Sequence, residues 1–346
     1  MSLKRGLLYF IGLTVGVGAL ALYYTSDNET WHILSRVRCS GIAVAFIVSA
    51  VGWISDALRI QVIADIMEEH IEFKTSLQLV FLNSFGSAIT PFQGGGGPLL
   101  IYVLHGKGIP IGKGVALTLV RTIFTVLMLG LFVPLSFLFV PEVLKESAAM
   151  TGIFLYAIIF GLLFGGLIVI SITKSESVKR IAKIVTLWMD RLKLFRMSVL
   201  STVRFLNKQI DLYKQNMKLL FRGGVLKFLL VVLLTALYLV SLIGTLPALA
   251  WALGMHVSIE KTILVQGLFL FVLYFVPTPG ASGIAEGGGV AVYKVLFPLN
   301  MTGVLSIGWR FLVHYLPTLI GAVMAVEMIG LEIMSKIMRG KDDELN

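Results

Sequence analysis

Charge is what this chain has least of. Only 14% of its 346 residues are Asp, Glu, Lys or Arg, where soluble domains carry about 25%. That deficit excludes a water-soluble fold of this length. Cysteine is nearly absent as well, and Cys39 alone rules out an internal disulfide and any cysteine-based metal cluster. The five histidines (His32, His70, His105, His256 and His314) have no metal-ligand spacing, and His-Glu-x-x-His does not occur. Nor does the Gly-x-x-x-x-Gly-Lys-Ser/Thr phosphate loop, so ATP is not expected as the direct energy source. No metal and no cofactor is called for.

What the chain has instead is hydrophobic residues, 57% of the total, with a mean hydropathy of +0.91. Apolar runs over 6–24, 40–64, 113–139, 151–172, 224–252 and 302–327 each reach the ~20 residues that cross a ~30 Å hydrocarbon layer. The first follows Lys4 and Arg5 and contains Ala19-Leu20-Ala21, a pattern shared with cleaved signal peptides. Its continuation through Leu22, Tyr23 and Tyr24 favours a span with an aromatic interfacial end. The expected class is an all-α, polytopic membrane protein forming one transmembrane domain over residues 1–346.

Two further apolar stretches are interrupted. Residues 76–104 break at Pro91-Phe92-Gln93-Gly94-Gly95-Gly96-Gly97-Pro98, and residues 262–297 break over Pro277-Thr278-Pro279-Gly280-Ala281-Ser282-Gly283-Ile284-Ala285-Glu286-Gly287-Gly288-Gly289. Proline and glycine end a helix at such points. Irregular backbone at membrane depth is tolerated only where protein or a polar cavity satisfies it. The sequence therefore predicts six full spans plus two re-entrant helical hairpins, hinged at Pro91, Pro98, Pro277 and Pro279.

The positive charge fixes the expected orientation. Between 174 and 222, twelve Lys and Arg stand against three Asp and Glu, so nine of the chain's ten surplus positive charges lie there. A basic block beside membrane spans reads as a cytoplasmic, lipid-facing segment rather than a nucleic-acid site. With both termini cytoplasmic, this block falls inside only if 76–104 re-enters without crossing. The same count sends 262–297 in from the opposite face and leaves a cytoplasmic tail at 328–346. Two broken elements of opposed entry are what an inverted-repeat transporter predicts, with its site near the midplane. Within the block, Ile184, Trp188, Leu192, Val199, Val203, Leu206, Ile210 and Tyr213 recur at helical spacing. They form amphipathic helices that lie at the interface, pack on the bundle, or do both.

Charges within spans are costly, about 2.5–3.5 kcal/mol each on insertion scales, so each needs a partner or a wet cavity. Asp56 and Arg59, at i, i+3 in the second span, make a self-sufficient neutral pair. Arg121 and Arg310 occupy matching places, each in the span after a hairpin, and Glu286 lies in the second hairpin loop. Either one arginine neutralises Glu286 or caps open carbonyls, or both face a cavity and grip an anion. Arginine suits phosphate because its planar fork donates paired hydrogen bonds and remains charged when desolvated. The glycine runs add an independent argument for an anion. Helices starting after Gly94, Gly95, Gly96 and Gly97, with Pro98 in their first position, and after Gly287–Gly289, would aim free N–H groups and dipole ends at the membrane interior. A different chemistry is also spelled out. Gly280-Ala281-Ser282-Gly283 matches the Gly-x-Ser-Gly of intramembrane rhomboid proteases, with His314 as the base, while Ser282 equally suits a helix cap.

The loop Thr90–Pro98 with Tyr102, Gly108 and Arg121, and the loop Pro277–Glu286 with Arg310, Tyr315 and Pro317, resemble the lysylphosphatidylglycerol synthase transmembrane-region family of flippase-like proteins. The resemblance extends over about residues 5–330. It implies movement of phospholipid between leaflets of the cell membrane, and it carries Asn83, Pro91, Arg121, Pro279, Gly280, Glu286 and Arg310 into the candidate site. The family's two-part enzymes add a soluble aminoacyl-transferase domain, for which this chain has no room. Many members carry Arg in the first loop and an acid after its glycines. Gln93 and Gly97 stand there in this chain, so the family's headgroup preference does not transfer. The expected function is a non-enzymatic lipid translocase for an anionic phospholipid or a polyprenyl-phosphate lipid, with Arg121, Arg310, Glu286, Asn83, Gln93, Gly94–Gly97, Gly280, Ser282 and His314 around the headgroup. Expected partners are that lipid, a second copy of the chain or an enzyme of lipid synthesis, and no nucleic acid. The rivals are a Ser282-dependent protease, a lipid transferase and a scaffold for envelope-lipid synthesis.

Overall fold

A computed structural model describes residues 3–139, 199–222 and 224–328, with isolated positions between 155 and 186. The described residues are mostly helical, with no strand among them. In chain order they form α1 (Leu3–Thr25), α2 (Asn28–Ser35), α3 (Cys39–Ile66), α4 (Phe73–Ala88), α5 (Gly96–Gly106), α6 (Ile111–Phe139), α7 (Val199–Arg222), α8 (Val225–Ala252), α9 (Ile259–Tyr274), α10 (Ile284–Tyr293) and α11 (Leu299–Met328). Short 3-10 turns, Pro91–Gln93 and Pro279–Ala281, join α4 to α5 and α9 to α10.

Five helices (α1, α3, α6, α8 and α11) are long and apolar enough to cross a membrane, and the chain is an all-α polytopic membrane protein. A helix satisfies its own backbone hydrogen bonds, which is what hydrocarbon demands. Most of the expected sixth span, 151–172, most of the basic block before 199 and the tail after 328 lie outside the described residues.

The described helices repeat. α3 and α8 each have 28 residues and α4 and α9 each have 16. The 3-10 turns have 3 each, α5 and α10 have 11 and 10, and α6 and α11 have 29 and 30. Pro91 thus corresponds to Pro279, Phe92 to Gly280, Gly95 to Gly283 and Pro98 to Glu286. Phe92 and Gly280 even share a left-handed backbone, with φ of 54° and 58°. Arg121 and Arg310 each stand about three turns into the helix that follows.

The two halves join along α3 and α8 through small residues. A Cβ on Gly41 would lie 2.4 Å from the Ala252 Cα, and Ser49 and Thr245 share a hydrogen bond of 3.0 Å. Hydrocarbon gives no hydrophobic drive for helix pairing, so close backbone approach and interhelical hydrogen bonds carry it. Each half also has its own apolar cluster, Ile60, Leu79, Leu100 and Leu117 in the first and Leu246, Val265, Phe269 and Trp309 in the second. Leu129, Leu239, Phe271 and Phe275 bridge them. Apolar residues that point outward, such as Leu127 and Leu131 of α6 and Leu229 and Leu233 of α8, remain exposed as a lipid-facing surface requires.

The hairpin tips meet. Gln93 Nε2 of the first donates to the Leu273 carbonyl of the second at 3.1 Å, and a Cβ on Gly280 would lie 3.0 Å from the Ala88 Cα. α1 is built into the second half, where the Thr14 hydroxyl donates to Ser282 Oγ at 3.1 Å and Thr25 and Ala21 pack on Gly303. α7 packs on the start of α6. Gln209 Oε1 accepts from the Gly112 N–H at 2.7 Å, and Tyr213 is buried in the first half's cluster.

Candidate functional site

Each half of the bundle contains one buried ionic centre. In the first half, Asp56 of α3 is shared by two arginines. Its Oδ1 accepts from Arg59 Nε at 3.1 Å, Arg59 Nη2 at 2.5 Å and Arg121 Nε at 2.8 Å, and Oδ2 accepts from Arg121 Nη2. The expected self-contained Asp56–Arg59 pair is therefore a triad. Its i, i+3 spacing does bring Arg59 onto Asp56, but the carboxylate has a second oxygen, and α6 brings Arg121 to it. Arg59 is fixed from its other side by Thr125 and Thr235 hydroxyls at 2.9 and 3.2 Å and lies 4.9 Å from the centre of the Tyr238 ring. All three charges are more than nine-tenths buried, and two cations against one anion leave a surplus of one positive charge.

That surplus faces a cavity of about 550 Å³ whose wall includes Arg59, Arg121, Asn83, Gln93, Gly97 and Tyr274. The size falls within the ~300–1,000 Å³ of ligand pockets. With Nε and Nη2 held by Asp56, Arg121 Nη1 has no hydrogen-bond partner among the described residues. A smaller cavity of about 100 Å³ adjoins it, shares Asn83, Ser87, Gln93 and Tyr274 in its wall, and ends at Arg310 and His314.

The second centre is electrically closed. Glu286 is fully buried and Arg310 is 4% exposed. Glu286 Oε2 accepts from the Gly283 N–H at 2.6 Å, and Oε1 accepts from Arg310 Nε at 3.4 Å and from the Tyr315 hydroxyl. Arg310 Nη2 donates to the Gly280 carbonyl. Arg310 thus neutralises Glu286 and caps a carbonyl freed by the broken helix, which was the first of the two expectations for the arginines. A single π turn, Phe311–Tyr315, makes this possible. At about 100° per residue, positions five apart on an α-helix lie about 140° apart, whereas the wider i, i+5 turn brings Arg310 and Tyr315 to the same carboxylate.

The loops differ from expectation in three respects. α10 begins at Ile284, so Gly287–Gly289 lie inside it and Glu286 lies in its first turn, where the carboxylate itself takes the exposed N–H of Gly283. α5 begins at Gly96, which puts Pro98 in third position, still among the residues whose N–H has no helical partner. The N–H groups of Gly94 and Gly95 are taken by the Pro91 carbonyl at 3.0 Å and the Thr90 hydroxyl at 2.7 Å, so they are not free for a ligand. Glycine is required at 96 for another reason, since a Cβ there would lie 2.4 Å from Asn83 Oδ1.

Ser282 and His314 do not form a dyad. Ser282 Oγ accepts from Thr14, and His314 Nε2 is buried with no hydrogen-bond partner among the described residues. Of the hinge prolines, Pro91 and Pro279 each open a 3-10 turn. Asn83, Gln93, Gly94, Gly97, Arg121, Arg310 and His314 line the paired cavities, while Glu286 forms the closed second centre with Arg310 and the Gly280 carbonyl, and Ser282 bonds Thr14 instead.

Sequence reasoning set Arg59 aside as structural and missed Tyr238, Tyr274 and Thr14 altogether. A clue to the triad was available. Two arginines and one aspartate in the first half's spans do not balance, so one pair could not account for all three.

The fold and site define a polytopic helical membrane protein with two ion-centred halves, each containing a proline-broken helix pair. The chain belongs to the family described as the lysylphosphatidylglycerol synthase transmembrane region, whose model matches residues 9–321. It is 25% identical over 320 residues to a UPF0104 membrane protein of Archaeoglobus fulgidus, a match covering 90% of this chain and 93% of that protein. Membership of that family is consistent with a role connected with membrane lipids.

Proposed function

We propose that the protein is a lipid translocase of the cell membrane, with both termini cytoplasmic and the two hairpins re-entering from opposite faces. The observation that carries this reading is the 550 Å³ cavity inside an apolar bundle, bounded by a centre with one uncompensated positive charge. A buried surplus cation is expensive unless an anion comes and goes. A phosphate group on a lipid is the anion a membrane supplies in quantity, and its tails can stay in the bilayer while its head enters. Arg121 would grip the phosphate through Nη1, with Arg59 holding Asp56 and so the position of Arg121. Arg310 and Glu286 would keep the second half neutral, and the Gln93–Leu273 contact would couple the two hairpin tips.

The repeated halves support the same reading. Both cavities are lined by residues of the two halves, and a site at the interface of two repeats is where alternating access places it. The test uses purified protein in phosphatidylcholine vesicles containing trace fluorescent phosphatidylglycerol. Wild type accelerates transbilayer movement, and Arg121→Gln, folded by circular dichroism, does not. Equal movement by the variant would refute the assignment.

A further inference from the structure

The chemistry of the cavity wall narrows the headgroup. We infer that the cavity selects a singly anionic phosphodiester with an uncharged, hydroxyl-bearing head, and rejects heads that carry an amine. This inference rests on the translocase reading for its setting, but on the cavity wall for its content.

Two observations carry it. The first is charge. The wall contains Arg59 and Arg121, and the single carboxylate beside them, Asp56, is held on both oxygens by those arginines. Among the described lining residues there is no acid to receive an ammonium group. A primary amine brought in behind the phosphate would be a second desolvated cation near a surplus cation, and a buried charge without a partner is strongly disfavoured.

The second is the direction of the hydrogen bonds. The hydroxyls of Ser87, Thr118, Thr122 and Thr125 each donate to a backbone carbonyl, at 3.2, 2.9, 3.0 and 2.9 Å. Their protons are spent within the protein; the Thr125 oxygen already accepts from Arg59 Nη1 and Thr122 is bonded to Tyr274, so Ser87 and Thr118 are the two with lone pairs to spare for the cavity. The Asn83 carboxamide stands in the walls of both cavities with no hydrogen-bond partner among the described residues, and it both donates and accepts. Neutral hydrogen-bonding groups, the Ser87 and Thr118 oxygens with the Asn83 carboxamide and the Tyr238 and Tyr274 hydroxyls, beside one cationic fork match a polyol phosphodiester. The phosphate takes the guanidinium, and the hydroxyls donate to the threonine and serine oxygens. A glycerol-headed phospholipid and a sugar linked through phosphodiester to a polyprenol share this chemistry.

The experiment measures binding apart from transport. Protein in mild detergent is titrated with short-chain phosphatidylglycerol, short-chain phosphatidylethanolamine and a short-chain hexosyl phosphoprenol, with intrinsic tryptophan fluorescence as the readout. In parallel, acyl-labelled phosphatidylglycerol and phosphatidylethanolamine are followed across phosphatidylcholine vesicles. The glycerol head, the sugar head or both are expected to bind at least about tenfold more tightly than the ethanolamine head, the low end of the discrimination that a shaped pocket achieves. Which of the two binds identifies the source of the ligand. Thr118→Asp, which puts a carboxylate into the wall and cancels the surplus charge, should bring ethanolamine binding to within about threefold of glycerol binding.

Ethanolamine and glycerol heads bound equally by the wild type would overturn the inference, and that comparison needs no variant. The two readings also fail separately. Labelled lipids that both cross at equal rates would refute selectivity and leave the translocase intact. Selective binding without any transbilayer movement would refute the translocase and leave the site intact.

Discussion

Asp56→Asn should damage this protein more than the loss of either arginine it holds. The carboxylate is 1% exposed and accepts four hydrogen bonds from two guanidinium groups. An amide of the same shape keeps one acceptor oxygen, turns an NH2 toward a cationic donor, and takes the buried cluster from one surplus positive charge to two. Leaving buried charge uncompensated costs about 3–5 kcal/mol, a large part of the ~5–15 kcal/mol that keeps a typical fold together. Arg121→Gln has the opposite profile. It leaves a neutral Asp56–Arg59 pair and retains one donor toward Asp56, so the loss should be nearer the ~1.5–3 kcal/mol of a charge-assisted hydrogen bond. Transport should nevertheless vanish, because the surplus charge is gone. Thermal unfolding in one detergent, followed by tryptophan fluorescence, ranks the stabilities, and the vesicle assay ranks the activities. In the double variant only one cation is uncompensated, so its stability should exceed the sum of the single losses. An Asp56→Asn protein that melts with the wild type would refute the charge accounting, since the centre would then be wet enough to screen itself.

Other outcomes follow from the second half. Glu286→Gln leaves Arg310 buried without its anion and should lose about 3–5 kcal/mol, much of it recovered by adding Arg310→Met, as read by thermal unfolding. Gly280→Ala should lower both thermal stability and transport. The backbone there has φ +58°, and the new Cβ would lie 2.9 Å from His314 Nε2 and 3.0 Å from the Ala88 Cα, where overpacking costs about 1–3 kcal/mol. A fluorophosphonate probe should not label Ser282, whose oxygen is held by Thr14 and not by a histidine. Labelling that disappears in Ser282→Ala would revive the protease reading. Outside the spans, Asp27 caps α2, and its hydrogen bond from the Thr30 N–H holds its carboxyl below the usual carboxylate range. A lowered value means that the cap is fully present above the ordinary range and lost as pH falls through the lowered one. The protection of the first α2 amides against hydrogen exchange, taken relative to intrinsic exchange at each pH, should fall only in acid.

The broken helices were legible because proline and glycine act locally. Pro91, Pro279 and Gly280 stop a helix wherever they stand, and the structure breaks α4 from α5 and α9 from α10 at those residues. The positions of the intramembrane charges were legible for the same reason, since a charge within an apolar run shows itself without reference to any neighbour. Partners were not. Asp56 and Arg59 are close in sequence and were read as complete, but Arg121, 65 residues away, reaches the other carboxylate oxygen only because α6 packs on α3. Glu286 read as part of the second hairpin loop. The helix starts earlier than the Gly287–Gly289 run implied, and the carboxylate caps it.

The sequence by itself determined the solvent, the helical class and the sites of breakage, because hydropathy, proline and glycine exert their effects within a few residues. Tertiary structure decided which arginine is neutralised and which is left with spare capacity. Arg121 and Arg310 are indistinguishable by residue type and by place in the repeat. One shares a single carboxylate with Arg59 beside a 550 Å³ cavity, and the other is matched by Glu286. Electrostatic balance in a medium without water depends on distances of a few ångströms between separate helices, and those distances are set by packing alone.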